Sequence, residues 1–198
     1  MGSVDDRLKD ISEIRTLMEE SSKFLSLSGL SGVSAGAVGI AAYLVARQKL
    51  SEPCNTANAL FAFFCVEAAV TLLFALGFAA YFSTRMARDR GLPVWSAAAK
   101  YLVVNLFLPL AAGGAFCLIL FHHGLYLLIA PSMLIFYGLA LLNSSKYTLR
   151  EIRYLGLCEL CLGMAGALWL GAGLLLWCAG FGALHILYGS FMYLKYEK

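Results

Sequence analysis

Charge is scarce in this chain. Charged residues make up 14% of its 198 residues and hydrophobic residues 61%, whereas soluble domains carry about a quarter of their residues as charge. So little polar side chain cannot cover a soluble globule. The apolar residues also collect into runs far longer than a core strand or helix requires. The expected class is an all-α integral membrane protein, a six-transmembrane-helix bundle. The formal charge of +3 is then a matter of membrane orientation, and no nucleic-acid partner is expected.

Catalytic signatures are equally absent. The chain has no Walker phosphate loop, dinucleotide fingerprint, HExxH pair, GxSxG elbow or selectivity filter. Cys158 and Cys161 form its one CxxC, and no second pair or His-x3-His follows to complete a metal site. That CxxC lies inside an apolar run, away from the exposed helix start that a redox motif uses. Cys65, Cys117 and Cys178 also fall within runs, while Cys54 lies in a connection without a partner there. Thiol packing is the expected use. These absences lean away from an enzyme.

The runs are placed at residues 24–46, 57–84, 96–121, 125–143, 148–170 and 173–194. Roughly 20 residues cross the hydrocarbon, so the second and third are long enough to tilt or protrude. The last two are separated by Gly171-Ala172-Gly173, with Trp169 and Trp177 expected at one interface. Residues 1–23 read as a cytoplasmic amphipathic helix, opened by Ser3-Val4-Asp5-Asp6 and carrying Leu8, Ile11, Ile14 and Met18 at helical spacing. A charged stretch ahead of a full-length span is not expected to be a cleaved signal. Residues 195–198 form a short tail.

Basic residues set the orientation. Arg7, Lys9, Arg15, Lys23, Arg85, Arg88, Arg90, Lys100, Lys146, Arg150, Arg153, Lys195 and Lys198 fall on the side of the two termini, against Arg47 and Lys49 on the other. By the positive-inside rule both termini are expected to be cytoplasmic, in a bacterial cytoplasmic membrane.

Four polar residues interrupt the apolar runs near their middles: Glu67, Asn105, Glu159 and His185. An ionisable group at that depth is costly unless it is protonated, paired or hydrated, and it marks a functional site by default. Thr71 follows Glu67 by one turn. Pro109 follows Asn105 by one turn and lacks the N–H that would bond the Asn105 carbonyl, so a kink and a free acceptor are expected there. Pro131 is expected to repeat this device at Leu127, with Tyr137 deeper in the same run. Glu159 lies among Gly156, Gly163 and Gly166, and His185 among Cys178, Gly182 and Gly189, all at spacings of three and four. Such faces admit either a close helix or a ligand. Gly32 and Gly36 form a GxxxG pair in the first run, expected to pack within the bundle, with a homo-oligomer as the competing use.

The leading expectation is a protein that binds or transports a small molecule or ion. Glu67 and Glu159 would change protonation, His185 would relay a proton, and Asn105 would orient the ligand. The supporting set is Thr71, Pro109, Pro131, Tyr137, Gly156, Gly163, Gly182 and Gly189. A membrane oxidoreductase with haem or zinc at His185 is the alternative, although no cofactor is favoured. A subunit of a membrane complex is the third reading, with lipids and a membrane-protein partner. His122 and His123 read as a polar cap on a short loop. Cys65-Val66-Glu67 set against Leu157-Cys158-Glu159 hints at an inverted repeat of three helices.

Overall fold

A computed structural model of the chain describes residues 27–53 and 56–198. The expected amphipathic helix over 1–23 and the loop residue Cys54 lie outside these residues. Among the described residues all regular structure is helical: α1 Gly29–Ser51, α2 Ala57–Asp89, α3 Ala97–His122, α4 Ile129–Ser144, α5 Glu151–Leu168, α6 Gly173–Cys178 and α7 His185–Tyr196. A π-helical segment, Ala179–Leu184, joins α6 to α7 so that they run on as one rod.

Sequence explains where these helices start and stop. Ser28, Thr56 and Ser96 cap α1, α2 and α3 by accepting from backbone N–H groups of the first turn. At the far ends of α2 and α3 the chain turns at Gly91 (φ 64°) and Gly124 (φ 72°). In each case the next residue bonds back five positions, Leu92 to Ala87 and Leu125 to Leu120, and a side chain at the glycine would be strained. Nothing halts α2 before Gly91, so it runs 33 residues, about 50 Å, past the expected stop at 84.

Five helical stretches are long and apolar enough to cross a bilayer: Gly29–Ser51, Ala57–Asp89, Ala97–His122, Tyr126–Tyr147 and Leu170–Tyr196. The remaining long helix, α5, has 18 residues and carries Glu151, Arg153 and Glu159. Large apolar side chains are exposed over the helices, among them Val66, Leu73, Leu108, Leu118 and Leu187. A soluble monomer rarely shows so much exposed apolar surface. It suits hydrocarbon.

α2 packs on α1, α1 packs on the rod of α6 and α7, the α6 end of that rod meets both α5 and α4, and α3 packs on α4. Phe61 of α2 and Phe121 of α3 meet at one tip, with ring centroids 4.3 Å apart. α1 and α7 pack with almost no side chain between them: a Cβ on Gly29 or Gly36 would strike the backbone of Tyr193 or Gly182, and one on Gly189 the backbone of Gly29 and Val33. The GxxxG of the first run thus packs inside the bundle, as expected. Gly138 and Gly156 bring α4 and α5 together in the same way. At the end that holds residue 28, Glu197 accepts from the Ser28 hydroxyl at 3.0 Å, so the last residues close on the first turn of α1.

Two expectations about elements need correction. Pro131 does not kink a helix. A 3-10 turn, Tyr126–Leu128, precedes α4, which places Pro131 third in the helix, where a missing N–H removes no intrahelical bond. Its ring packs instead near Gly166 and Gly173. Trp169 does end α5, as its C-cap, but Trp177 lies with Phe181 in an aromatic cluster rather than at the turn. The inverted repeat finds no echo in the packing, since α5 packs on both α4 and α6 whereas α2 packs chiefly on α1.

Candidate functional site

Glu159 is wholly buried, and His185 is 5% exposed. α5 brings the carboxyl and α7 the imidazole, with His185 Nδ1 3.3 Å from Glu159 Oε1. This is a close approach without a directed hydrogen bond, because Nδ1 donates to the Gly180 carbonyl at 2.9 Å. Both Glu159 oxygens consequently have no hydrogen-bond partner. Leaving a buried polar group so costs about 1–3 kcal/mol. On the other side of the ring, Nε2 is 2.8 Å from the Tyr137 hydroxyl of α4. A carbonyl can only accept, so Nδ1 carries a hydrogen, and Nε2 of the neutral ring accepts from Tyr137. A second proton on the ring would reverse that bond and make both nitrogens donors.

The π segment creates this geometry. In an α-helix the residues one turn before His185 are Phe181 and Gly182, but the wider π turn brings Gly180, five residues back, against the imidazole. A Cβ at Gly180 would strike Glu159 Oε2 and fall 2.6 Å from Leu134 Cδ2. Only glycine leaves room there for the carboxyl. Aromatic rings close one side: Phe181 stacks on His185 with centroids 5.9 Å apart and packs on Tyr137 and Trp177 at 4.8 and 5.0 Å. The Trp177 indole nitrogen is buried without a partner.

Of the four midplane residues, Glu159 and His185 come together and Tyr137 joins them. Glu67 does not. It is half-buried on α2, with Oε1 enclosed and unpartnered, and α1 stands between α2 and the helix of His185. Thr71, one turn on, shares that separate place. Asn105 finds a different use: the carbonyl that Pro109 leaves without an N–H accepts from Asn143 Nδ2 at 3.1 Å, and the same nitrogen donates to Asn105 Oδ1 at 3.0 Å. Asn105 Nδ2 in turn donates to the Tyr101 carbonyl at 2.8 Å. The freed acceptor was legible in the sequence; its partner on α4 was not. The amide clasps α3 to α4.

The glycines also sort by neighbour. Gly156 and Gly163 face α4, where Leu141, Ile135 and Pro131 fill the groove, and Gly182 and Gly189 face α1 at Ile40 and Gly29. None of the four lines the imidazole; the glycine that does is Gly180, which α-helical spacing could not pick out. Cys65, Cys158 and Cys161 are exposed on the helices, and Cys117 and Cys178 are half-buried, all with free thiols. Among the described residues no three His, Cys, Asp or Glu side chains converge as a metal-binding group. Both nitrogens of His185 are already engaged, so haem or zinc ligation would have to take one from Tyr137 or Gly180. His122 and His123 pack edge to face, exposed, at the end of α3.

No protein-family model, curated protein or solved structure matches the chain.

Proposed function

We propose that the protein is a six-span protein of the bacterial cytoplasmic membrane, with both termini cytoplasmic, that binds or carries a small molecule or ion by changing protonation at Glu159 and His185. One observation carries this reading: a fully buried carboxyl, unpartnered at both oxygens, 3.3 Å from an imidazole whose own two nitrogens are engaged. Simple interhelical glue would satisfy its polar atoms, since the stabilising effect of such residues comes from the bonds they make. Here the carboxyl has spare capacity for a proton, a cation or a polar ligand. His185 supplies the adjacent exchangeable proton and Tyr137 holds the ring. Support for counting α5 as the sixth span comes from the same site, because Glu159 meets His185, and His185 meets Tyr137, on stretches long and apolar enough to cross.

The test uses proteoliposomes loaded with a pH-sensitive dye and challenged in turn with alkali cations and small organic ammonium ions. The wild type is expected to couple proton movement to one of these classes, with at least about a tenfold loss in Glu159→Gln and His185→Ala. No coupled signal from any class, together with variants as stable as the wild type, would reject the reading and leave a scaffold.

A further inference from the structure

The Glu159 carboxyl is wholly buried, so a proton or ligand reaches it only if part of the bundle opens. The last rod is shared between two groups of helices. Its first piece, α6, packs mainly on α5 and α4, whereas α7 packs closely on α1, which also carries α2. The π segment Ala179–Leu184 joins the two pieces, and a break of this kind in the α-helical ladder is where a helix bends.

α7 is tied firmly to its own group. Glu197 accepts from the Ser28 hydroxyl at 3.0 Å and from the Gly29 N–H, and Arg90, the C-cap of α2, donates to the Tyr196 carbonyl at 2.6 Å. Along the seam with α1, Gly182 and Gly189 lie against Gly29, Gly32 and Gly36. Toward α4 and α5 the hold is looser. His185 meets Tyr137 and approaches Glu159 at one end, and Tyr188 packs on the cluster of Leu141, Ile152 and Leu155. At the other end Glu151 accepts from the Tyr196 hydroxyl at 2.7 Å and pairs with Lys195. This outer contact parts readily, because the Lys195 side chain is 46% exposed and a screened ion pair adds little to stability. Each partner keeps a favourable place when they separate. The ammonium lies over the Phe191 and Tyr196 rings of α7 itself, and Glu151 stays in the first turn of α5, where negative charge suits the helix dipole.

We propose that the π segment is the hinge, and Glu151 with Lys195 and Tyr196 the clasp, of a gate over the Glu159–His185 pair. When the clasp opens, α7 leaves α5 together with α1 and α2, and water enters between α5 and α7 from the end that holds residues 28 and 197. The Phe61–Phe121 contact keeps the two groups together at the other tip. His185 adjoins the hinge and Lys195 lies about 15 Å further along the helix, so the displacement is small at the imidazole and largest at the clasp. The gate rests on the protonation reading given above and supplies the access that a buried carboxyl needs.

Double electron–electron resonance on the full chain in lipid nanodiscs tests the gate, with nitroxide amino acids placed by codon suppression so that the cysteines stay native. One label pair spans the gate, at the exposed Tyr154 of α5 and Leu194 of α7, and a control pair lies within one group, at the exposed Leu44 of α1 and Leu187 of α7. Lys195→Gln combined with Tyr196→Phe is expected to raise the longer-distance population of the spanning pair by about threefold or more and to leave the control pair unchanged. Exchanging the charges, Glu151→Lys with Lys195→Glu, should return the spanning pair toward the wild type from the opened distribution of Lys195→Glu alone, which damage to folding would not do. A spanning distance indifferent to the clasp variants, one that lengthens together with the control pair, or an exchange that restores nothing overturns the gate. Those results leave the protonation reading to the proteoliposome assay, whereas a gate that opens as expected without any proton-coupled signal there removes that reading and keeps the gate.

Discussion

A methyl group at Gly180 would intrude on the Glu159 carboxyl and on Leu134 together. Gly180→Ala is therefore expected to destabilise the bundle by about 1–3 kcal/mol, the usual range for overpacking. Thermal or steric-trap unfolding in detergent would measure it. Since one of the two clashes is with the carboxyl, Glu159→Ala should recover part of the loss, with a coupling above about 0.5 kcal/mol in the double-mutant cycle. Strict additivity would mean that the carboxyl does not rest on Gly180. At this scale the sequence showed which residues were anomalous. Glu159 and His185 stood out because hydrocarbon tolerates neither alone. Tyr137 stands in the sequence only as a supporting residue, and Gly180 carries no signal there, because periodicity counts in α-helical turns.

The clasp between α3 and α4 gives a prediction about elements. Asn143→Ala leaves the Asn105 carbonyl and side-chain oxygen without their donor, and membrane hydrogen bonds of this kind average about 0.6 kcal/mol. A loss of about 1 kcal/mol is expected for the two together. In a Pro109→Ala background the restored N–H can take the Asn105 carbonyl, so the same substitution should cost less; an equal cost in both backgrounds would contradict the clasp. Helix existence, order and approximate extent were readable from the length of the apolar runs, and α5 was correctly separated from α6 at Gly171. Neighbours were not readable. Gly156, Gly163, Gly182 and Gly189 share helical spacing with the polar residues, but spacing states a face without saying what fills it, and α4 and α1 fill these. The expected kink at Pro131 is absent because a proline near a helix start and one in its middle look alike in sequence, and the 3-10 turn before α4 puts Pro131 at the start.

For the whole molecule, the contact of Glu197 with Ser28 places the beginning and end of the described chain at one tip of the bundle. An even number of crossings, with α5 as the proposed sixth span, is compatible with that placement. Reporter domains fused before residue 1 and after residue 198 should report the same side, and a fusion in the loop after Leu168 the other. Opposite sides for the two ends would remove a span. The basic residues already lean this way, with Arg85, Arg88, Arg90, Lys146, Arg150 and Arg153 gathered at that tip against Arg47 and Lys49.

The π segment has a consequence of its own. A π turn takes up about one residue more than an α turn, so the surplus carried by Ala179–Leu184 is absorbed locally and the two halves of the last rod stay in line. Deleting one residue there would let the rod close as a plain α-helix, with an α-helical residue in place of Gly180 behind the imidazole. The pocket for the carboxyl is encoded by counting as much as by chemistry, because the glycine that makes room for Glu159 faces His185 only while the extra residue is present.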